Sequence, residues 1–420
     1  MDVLMDFFQT IINMGATVML PIVMMIVGLC FRMKFGDALK AGLMVGIGFQ
    51  GLSLTINLLL TVVNPAVEYY SAMGTGYTVA DVGWAAVGAS SFSVPFAALA
   101  IALLFIINVI MIRLHWTKTM NVDIWNFIHF LIPGTLAYAL TGNNFFVGLG
   151  VTLLAGILAL KGADHCADDW QEYYGLEGTT CSTGSYNMVY PVFQLLDKLY
   201  DHIPGFRNID IDISTLSDKI GLLGDTSIIG LIVGAILGII SARDVPGIIT
   251  MAVGFAAVLV LIPRMVAIMM EGISPIGTAA TSFMRRWLGD DTGDELVIGM
   301  DVCLGLGDPN CMVITAIAIP WIVLMALVIP GMSYFPMGAL TGLQYDTVMP
   351  VLADRGNFVR ALISSLLFST VACVLASVFA PEATAMMNAT GIEVTGMVTD
   401  KFFGMNVLNV IIEILHRLIG

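Results

Sequence analysis

Apolar stretches of about 16 to 25 residues recur from one end of this chain to the other, and roughly 20 such residues in a helix are what it takes to cross about 30 Å of hydrocarbon. They fall near residues 8–31, 40–63, 93–112, 121–140, 143–160, 226–241, 247–263, 311–330, 338–353, 358–380 and 403–420. The chain is therefore expected to be an all-α polytopic membrane protein with about 11 transmembrane helices, forming one membrane-embedded domain over 1–420. Composition agrees. The 420 residues are 58% hydrophobic and 11% charged, whereas a soluble domain carries about 25% charged residues. Several stretches are short or broken by glycine, and irregular backbone at membrane depth survives only inside protein or beside a water-filled cavity, so re-entrant hairpins are expected.

The 17 basic residues give the orientation. With the N-terminus outside and the spans alternating, Arg32, Lys34, Lys40, Arg113, Lys118, Lys161, Lys198, Arg207, Lys219, Arg264, Arg285, Arg286, Arg355, Arg360 and Arg417 face the cytoplasm, leaving Arg243 and Lys401 outside. That bias is the positive-inside pattern. The polar interruption from about 161 to 225 is then cytoplasmic, and a solvated loop is its simplest form. Met1-Asp-Val-Leu-Met-Asp6 lacks the basic segment of a cleavable signal, so the first helix is expected to be retained.

A weak internal repeat runs through the chain. Gly15-Ala-Thr17 resembles Gly224-Asp-Thr226, Met44-Val-Gly46 resembles Ala252-Val-Gly254, and Asp81-Val82 with Gly88 resembles Asp301-Val302 with Gly307. The order is kept, at a spacing of about 210 to 220 residues. With the orientation above, the first copy begins outside and the second inside. Inverted repeats of approximately 8–160 and 224–380 are thus expected, joined by a cytoplasmic and partly re-entrant segment, 161–223. Many secondary transporters are built this way, with the substrate near the midplane where interrupted segments of both halves meet.

Ionisable side chains in apolar territory cost about 2.5–3.5 kcal/mol at a helix centre on insertion scales, which marks them as candidates for function. Asp81-Val-Gly-Trp84 and Asp301 through Asp308 are the two matching polar, glycine-containing segments. His129 stands about two turns into the fourth span, where an interhelical hydrogen bond is its plain alternative role. Glu177 precedes the hydroxyl-rich run Thr179-Thr-Cys-Ser-Thr-Gly-Ser185, which also suits a cap or turn. Gln50 lies in Gly46-Ile-Gly-Phe-Gln-Gly51. Carboxylates, amides and hydroxyls are the groups that bind a polyol, since each hydroxyl is both donor and acceptor, while an aromatic face such as Trp84 covers the C–H side. The candidate substrate-binding set is Gln50, Asp81, Trp84, His129, Glu177, Thr183, Ser185, Asp301 and Asp308.

Other classes are disfavoured. The net charge of -14 carries no basic nucleic-acid patch. The six cysteines (Cys30, Cys166, Cys181, Cys303, Cys311, Cys373) contain no CxxC, so no metal or other cofactor is expected. There is no Walker-type phosphate loop.

The chain resembles the galactitol-type permease component, IIC, of the bacterial phosphoenolpyruvate-dependent sugar phosphotransferase system. The resemblance is carried by Gly15-Ala-Thr-Val-Met-Leu-Pro21-Ile, Lys40-Ala-Gly-Leu, Gly46-Ile-Gly-Phe49, Asp81-Val-Gly-Trp84, Asn121-Val-Asp-Ile-Trp-Asn126 with His129, Leu176-Glu-Gly178, Ile203-Pro-Gly205, Ile298-Gly-Met-Asp301 and Arg355-Gly-Asn357. It implies a homodimer of the ascorbate-galactitol superfamily in the bacterial inner membrane, with a dimerising scaffold and a mobile core that carries the sugar by an elevator-like movement. It also implies separate IIB and IIA partners, with a IIB phosphocysteine donating the phosphate, so this chain needs no catalytic nucleophile. Two departures bear on the substrate. The family's Pro-His-Gly loop reads Ser182-Thr183-Gly184, and its Gly-His reads Gly307-Asp308. On the residues alone, an ion-coupled secondary transporter of a small polar solute and an integral membrane transferase remain alternatives.

Overall fold

The structure is a computed structural model that describes residues 16–71, 77–206, 211, 226–288, 296–340, 342–391 and 396–419. From its N-terminal side it runs α1 (Ala16–Cys30), α2 (Phe35–Ser71), β1 (Val79–Asp81), α3 (Gly83–Phe92), α4 (Ala97–Arg113), β2 (Thr119–Asn121), α5 (Ile124–Leu140), α6 (Phe145–Tyr174), β3 (Thr179–Cys181), α7 (Gly184–Asn187) and α8 (Tyr190–Tyr200). It continues with α9 (Thr226–Ile240), α10 (Val245–Leu288), β4 (Val297–Met300), a 3-10 turn (Val302–Gly307) and α11 (Pro309–Val328). Then come α12 (Met337–Leu340), a second 3-10 turn (Leu343–Thr347), α13 (Val348–Ala353), α14 (Phe358–Val378), α15 (Ala380–Ala389), β5 (Met397–Thr399), α16 (Phe402–Met405) and α17 (Val407–Ile419).

The protein is mostly helical, as the apolar stretches require. Among the described residues, α6, α11 and α14 are each long and apolar enough to cross a membrane. The helices α2 and α10 have 37 and 44 residues, roughly 55 and 65 Å at 1.5 Å per residue, well beyond the thickness of a bilayer. They pack along each other, with α1 against α2 and α9 against α10. Small residues let the backbones approach: a Cβ on Gly272 would come within 2.3 Å of the Ala41 carbonyl oxygen, and one on Gly48 within 2.4 Å of Met269.

Two small parallel sheets lie among the remaining helices. In one, Val79 N–H of β1 donates to Ser333 O on one side, while Val82 N–H donates to Thr399 O on the other. Alternate residues of a strand point their amides to opposite sides, so β1 is the central line of this sheet. In the other, β4 is central between β2 and β3. The strands β2, β4 and β3 are buried on both faces, the usual situation of parallel sheets, whereas Ala80 of β1 and Met397 of β5 are exposed. Each central strand thus comes from one end of the chain, and its two neighbours from the other. Asp81 ends β1, and Asp301 follows β4 directly.

Three expectations require correction. Residues 338–353 do not form one continuous helix but two short helices around a 3-10 turn, and 403–420 is divided between α16 and α17. The region 161–225 is not one solvated loop: α6 extends to Tyr174, and Thr179 through Asn187 are all buried. Their hydroxyls are spent internally, with Thr179 donating to Leu176 O at 2.7 Å and Thr180 to Ala163 O at 2.7 Å. Lys401, assigned to an outside loop, is 5% exposed and lies in the interior. Of the repeat matches, Gly15 and the Gly224-Asp225 pair lie outside the described residues, as do Arg207 and Lys219.

Candidate functional site

The ends of both sheets open on one cavity of about 490 Å³. Nearly every residue lining it belongs to a segment that follows a strand or the Tyr334 bridge. Gly83 and Trp84 follow β1, Trp125 and His129 follow β2, and Tyr186 follows β3. Asp301 follows β4, Tyr345 follows the bridge, and Asp400 and Lys401 follow β5; Phe49 and Asn57 of α2 complete the wall. Strand ends place many backbone amides and short caps in a small space, which is why such ends serve as binding sites in other sheet architectures.

Carboxylates tie these corners down. Asp81 accepts from Gly83 N–H at 3.0 Å through Oδ1 and from Gly338 and Ala339 N–H at 2.7 and 3.3 Å through Oδ2. Gly83, with φ of 74°, adopts the left-handed conformation that favours glycine. Asp123 caps α5, accepting from Trp125 N–H at 3.0 Å, while its other oxygen accepts from Asp301 N–H at 3.3 Å. Asp301 accepts from Cys303 N–H at 2.8 Å. The Thr183 hydroxyl lies 3.2 Å from Asp301 Oδ2 and 2.8 Å from Asn126 Oδ1. Behind it, Asn126 reaches Asn121 at 2.7 Å and Ser182 at 2.9 Å. This network fixes sheet and helix relative to each other, because a buried polar group left unmade costs about 1–3 kcal/mol.

His129 is 6% exposed. Its Nδ1 is hydrogen-bonded to the Ser185 hydroxyl, which leaves Nε2 as the ring nitrogen for a ligand. Its ring sits 5.7 Å from Trp84, 6.1 Å from Tyr186 and 5.4 Å from Phe402. Trp84 and Trp125 are 5.8 Å apart and tilted at 50°, two large apolar faces on one side of the cavity. A few polar groups among aromatic and aliphatic walls is the general make-up of a small-molecule site.

The structure therefore brings Trp84, His129 and Asp301 to the cavity wall, with Ser185 and Thr183 holding two of them from behind. Asp81 shapes the wall through backbone contacts. It does not bring Gln50, Glu177 or Asp308 there. Gln50 is exposed on α2, and Glu177 is exposed on the turn after α6. Asp308 caps α11, accepting from Asn310 N–H at 2.7 Å and from the Tyr173 hydroxyl at 2.6 Å.

Sequence reasoning missed Trp125, Tyr186, Tyr345, Asp400 and Lys401, all of which line the cavity. Lys401 Nζ contacts Asp346 Oδ2 at 2.5 Å, and the Ser369 hydroxyl donates to the same oxygen at 2.7 Å. The signal for Asp400 was present: Val398-Thr-Asp400 repeats the pattern of Val79-Ala-Asp81, a valine two residues before an aspartate.

A second polar cluster joins α6, α8 and α14. Arg355 binds Asp169 and Glu172 at 2.5 and 2.9 Å, and Arg360 binds Asp197 and Asp201 at 2.6 and 2.8 Å. Asp354, in the turn before α14, is 4% exposed and lies beside Asp197 and Ser364. Burial, reinforced by the neighbouring Asp197 charge, pushes its carboxyl up to about 8.

Residues 10–397 match the family model described as PTS system sugar-specific permease component, EIIC-GAT. The chain is 33% identical over 390 residues to a putative permease IIC component of Escherichia coli K12, covering 93% of this chain and 88% of that protein. It is also 33% identical over 376 residues to the galactitol-specific EIIC component of the phosphotransferase system of the same organism, covering 89% and 82%.

Proposed function

The chain belongs to the sugar-specific permease family of the phosphotransferase system, a bacterial membrane protein family, and from that membership we propose that it carries a galactitol-like polyol across the inner membrane and presents it to a separate IIB protein for phosphorylation. The observation that carries this reading is the convergence of six strand-end segments on one cavity whose wall combines Asp301, Asp400, Lys401 and His129 with Trp84 and Trp125. A polyol needs donors and acceptors in pairs along one edge and an apolar surface along the other. The carboxylates and His129 Nε2 accept, the ammonium donates, and the tryptophans cover the C–H side. The same carboxylates or imidazole are placed to take the proton that a sugar hydroxyl releases when phosphate arrives from IIB.

In this reading α1, α2, α9 and α10 form the scaffold of a homodimer, and the sheets with their helices form the mobile core of an elevator. The two halves are inverted repeats, and several features besides the two Asp corners support this. Asn144 caps α6 and Asn357 caps α14. The positive-φ residues Arg32, Asn143, Gly175 and Gly178 have counterparts in Ala242, Gly356, Gly391 and Gly396, again at a spacing of about 210 to 220 residues. The correspondence of β3, α7 and α8 with β5, α16 and α17 extends both repeats beyond 160 and 380. With the N-terminus outside, the Arg355–Asp169 cluster faces the cytoplasm and the IIB and IIA partners.

Titration of the purified protein with galactitol and other hexitols, read by tryptophan fluorescence, tests the reading. Saturable binding with a spectral change that disappears in Trp84→Phe is expected. Absence of binding to every polyol would remove the substrate class.

A further inference from the structure

Four carboxylates stand at the strand ends around the cavity, and their hydrogen bonds together with their place in its wall divide them. Asp81 has both oxygens engaged by three backbone N–H groups. Asp123 has both engaged by Trp125 and Asp301 N–H. Asp301 is held by Cys303 N–H on one oxygen and approached by the Thr183 hydroxyl on the other. Asp400 differs. Its carboxylate caps the α16 corner, Oδ1 accepting from Phe402 N–H at 2.8 Å with the Lys401 backbone N–H beside it, and, unlike Asp81 and Asp123, Asp400 itself lines the cavity.

The next residue supplies the complementary group. Lys401 lines the same cavity and has three N–H donors, one of which is committed to Asp346. Asp346 is 1% exposed and is itself fixed by Ser369, so the ammonium is held in place instead of swinging on a free stem. One corner of the chain therefore brings a carboxylate-bearing and an ammonium-bearing residue to the same cavity. Neighbouring hydroxyls on a carbon chain match such a pair, one donating to the carboxylate and the other accepting from the ammonium. An anionic sugar acid does not match it, because Asp301 and Asp400 border the cavity while the single lysine charge is already offset by Asp346.

We propose that Asp400 and Lys401 are the specificity-determining residues of this site, reading a vicinal diol of an uncharged polyol, and that Asp81 and Asp123 shape the wall without binding it. This rests on the transport reading above and adds to it the residues that choose among polyols. The pair lies just past residue 397, where the match to the family model ends.

The test is equilibrium titration of the full-length purified protein with galactitol, sorbitol, mannitol and galactonate, beside Asp400→Asn. Asparagine keeps an acceptor for Phe402 N–H, so the corner is retained while the charged acceptor is lost. The expected result is a loss of polyol affinity of about 10- to 100-fold in Asp400→Asn, the scale of one charge-assisted hydrogen bond, with no binding of galactonate by either protein. Polyol binding by the wild type that is unchanged in Asp400→Asn overturns the assignment and leaves the transport reading intact. Tight binding of galactonate overturns the uncharged class. A wild type that binds none of the three polyols overturns both readings. If Asp400→Asn does not elute as a single folded species, Lys401→Arg decides. It keeps the charge opposite Asp346 but moves the donors, so the ratio of affinities among the three polyols is expected to change, and an unchanged ratio overturns the proposal.

Discussion

Replacing Lys401 by Met leaves Asp346 as a buried carboxylate whose remaining donor among the described residues is the Ser369 hydroxyl and whose Oδ1 has no partner among them. The side chains of the pair are only 6% and 1% exposed, so water does not screen the loss. Breaking a buried ion pair from one side costs about 3–5 kcal/mol, whereas removing both charges is often neutral or stabilising. Taking about 2.1 cal/mol/K of unfolding entropy per residue over 420 residues, that cost corresponds to a melting shift of roughly 3–6 °C. The expected outcome is therefore a drop of that size in Lys401→Met and recovery of most of it in the double variant Lys401→Met, Asp346→Leu. A thiol-reactive fluorophore suits the assay, because five cysteines are buried and become reactive only on unfolding. A single variant melting within a degree of the wild type, or a double variant no better than the single, would refute the claim that these two residues form a tight buried pair.

Glu413 in α17 is fully buried and, among the described residues, neither of its oxygens has a hydrogen-bond partner, so Glu413→Gln is expected to raise the melting temperature by a few degrees; a lower value would show that the charge is compensated. Asp354 is raised to about 8 in the folded protein, above about 3.9 unfolded. Between those values the folded state holds a proton the unfolded state has released, so this residue lowers stability as pH rises from about 4 to 8 and adds no slope above. Asp354→Asn is accordingly expected to gain stability over the wild type progressively from pH 5 to 8 in melting curves; a constant difference across that range would contradict the assignment. Because Glu177 is exposed on the turn after α6, Glu177→Gln is expected to leave polyol affinity unchanged, and a ten-fold loss by titration would bring that turn into the site.

How much of this was written in the sequence depends on the range of the interaction. Long apolar runs set most of the helices, because the membrane asks only for length and hydropathy. Asp81 and Asp301 stood out as charges beside glycine in apolar territory, and both do stand at strand ends. The strands themselves, three or four residues each, are too short for any periodicity to mark them. They form only because distant segments pair, as Val79 does with Met397 and Thr119 with Val297. Lys401 looked like a loop residue because its partner Asp346 lies 55 positions away. Glu177 and Asp308 drew attention as charged neighbours of polar runs, but a turn and a helix cap account for their placement. The break within 338–353 lies in a segment apolar enough to read as a span, and its interruption follows from packing at the cavity, where Gly338, Gly342 and Tyr345 form part of the wall.

The most direct test of the central claim is uptake of labelled galactitol and other polyols by membrane vesicles containing this chain, loaded with phosphoenolpyruvate, the general phosphotransferase proteins and the IIA and IIB proteins. The account predicts that the polyol accumulates as its phosphate ester, and that omitting IIB abolishes accumulation. Accumulation of unmodified polyol driven by an ion gradient, with IIA and IIB absent, would contradict it.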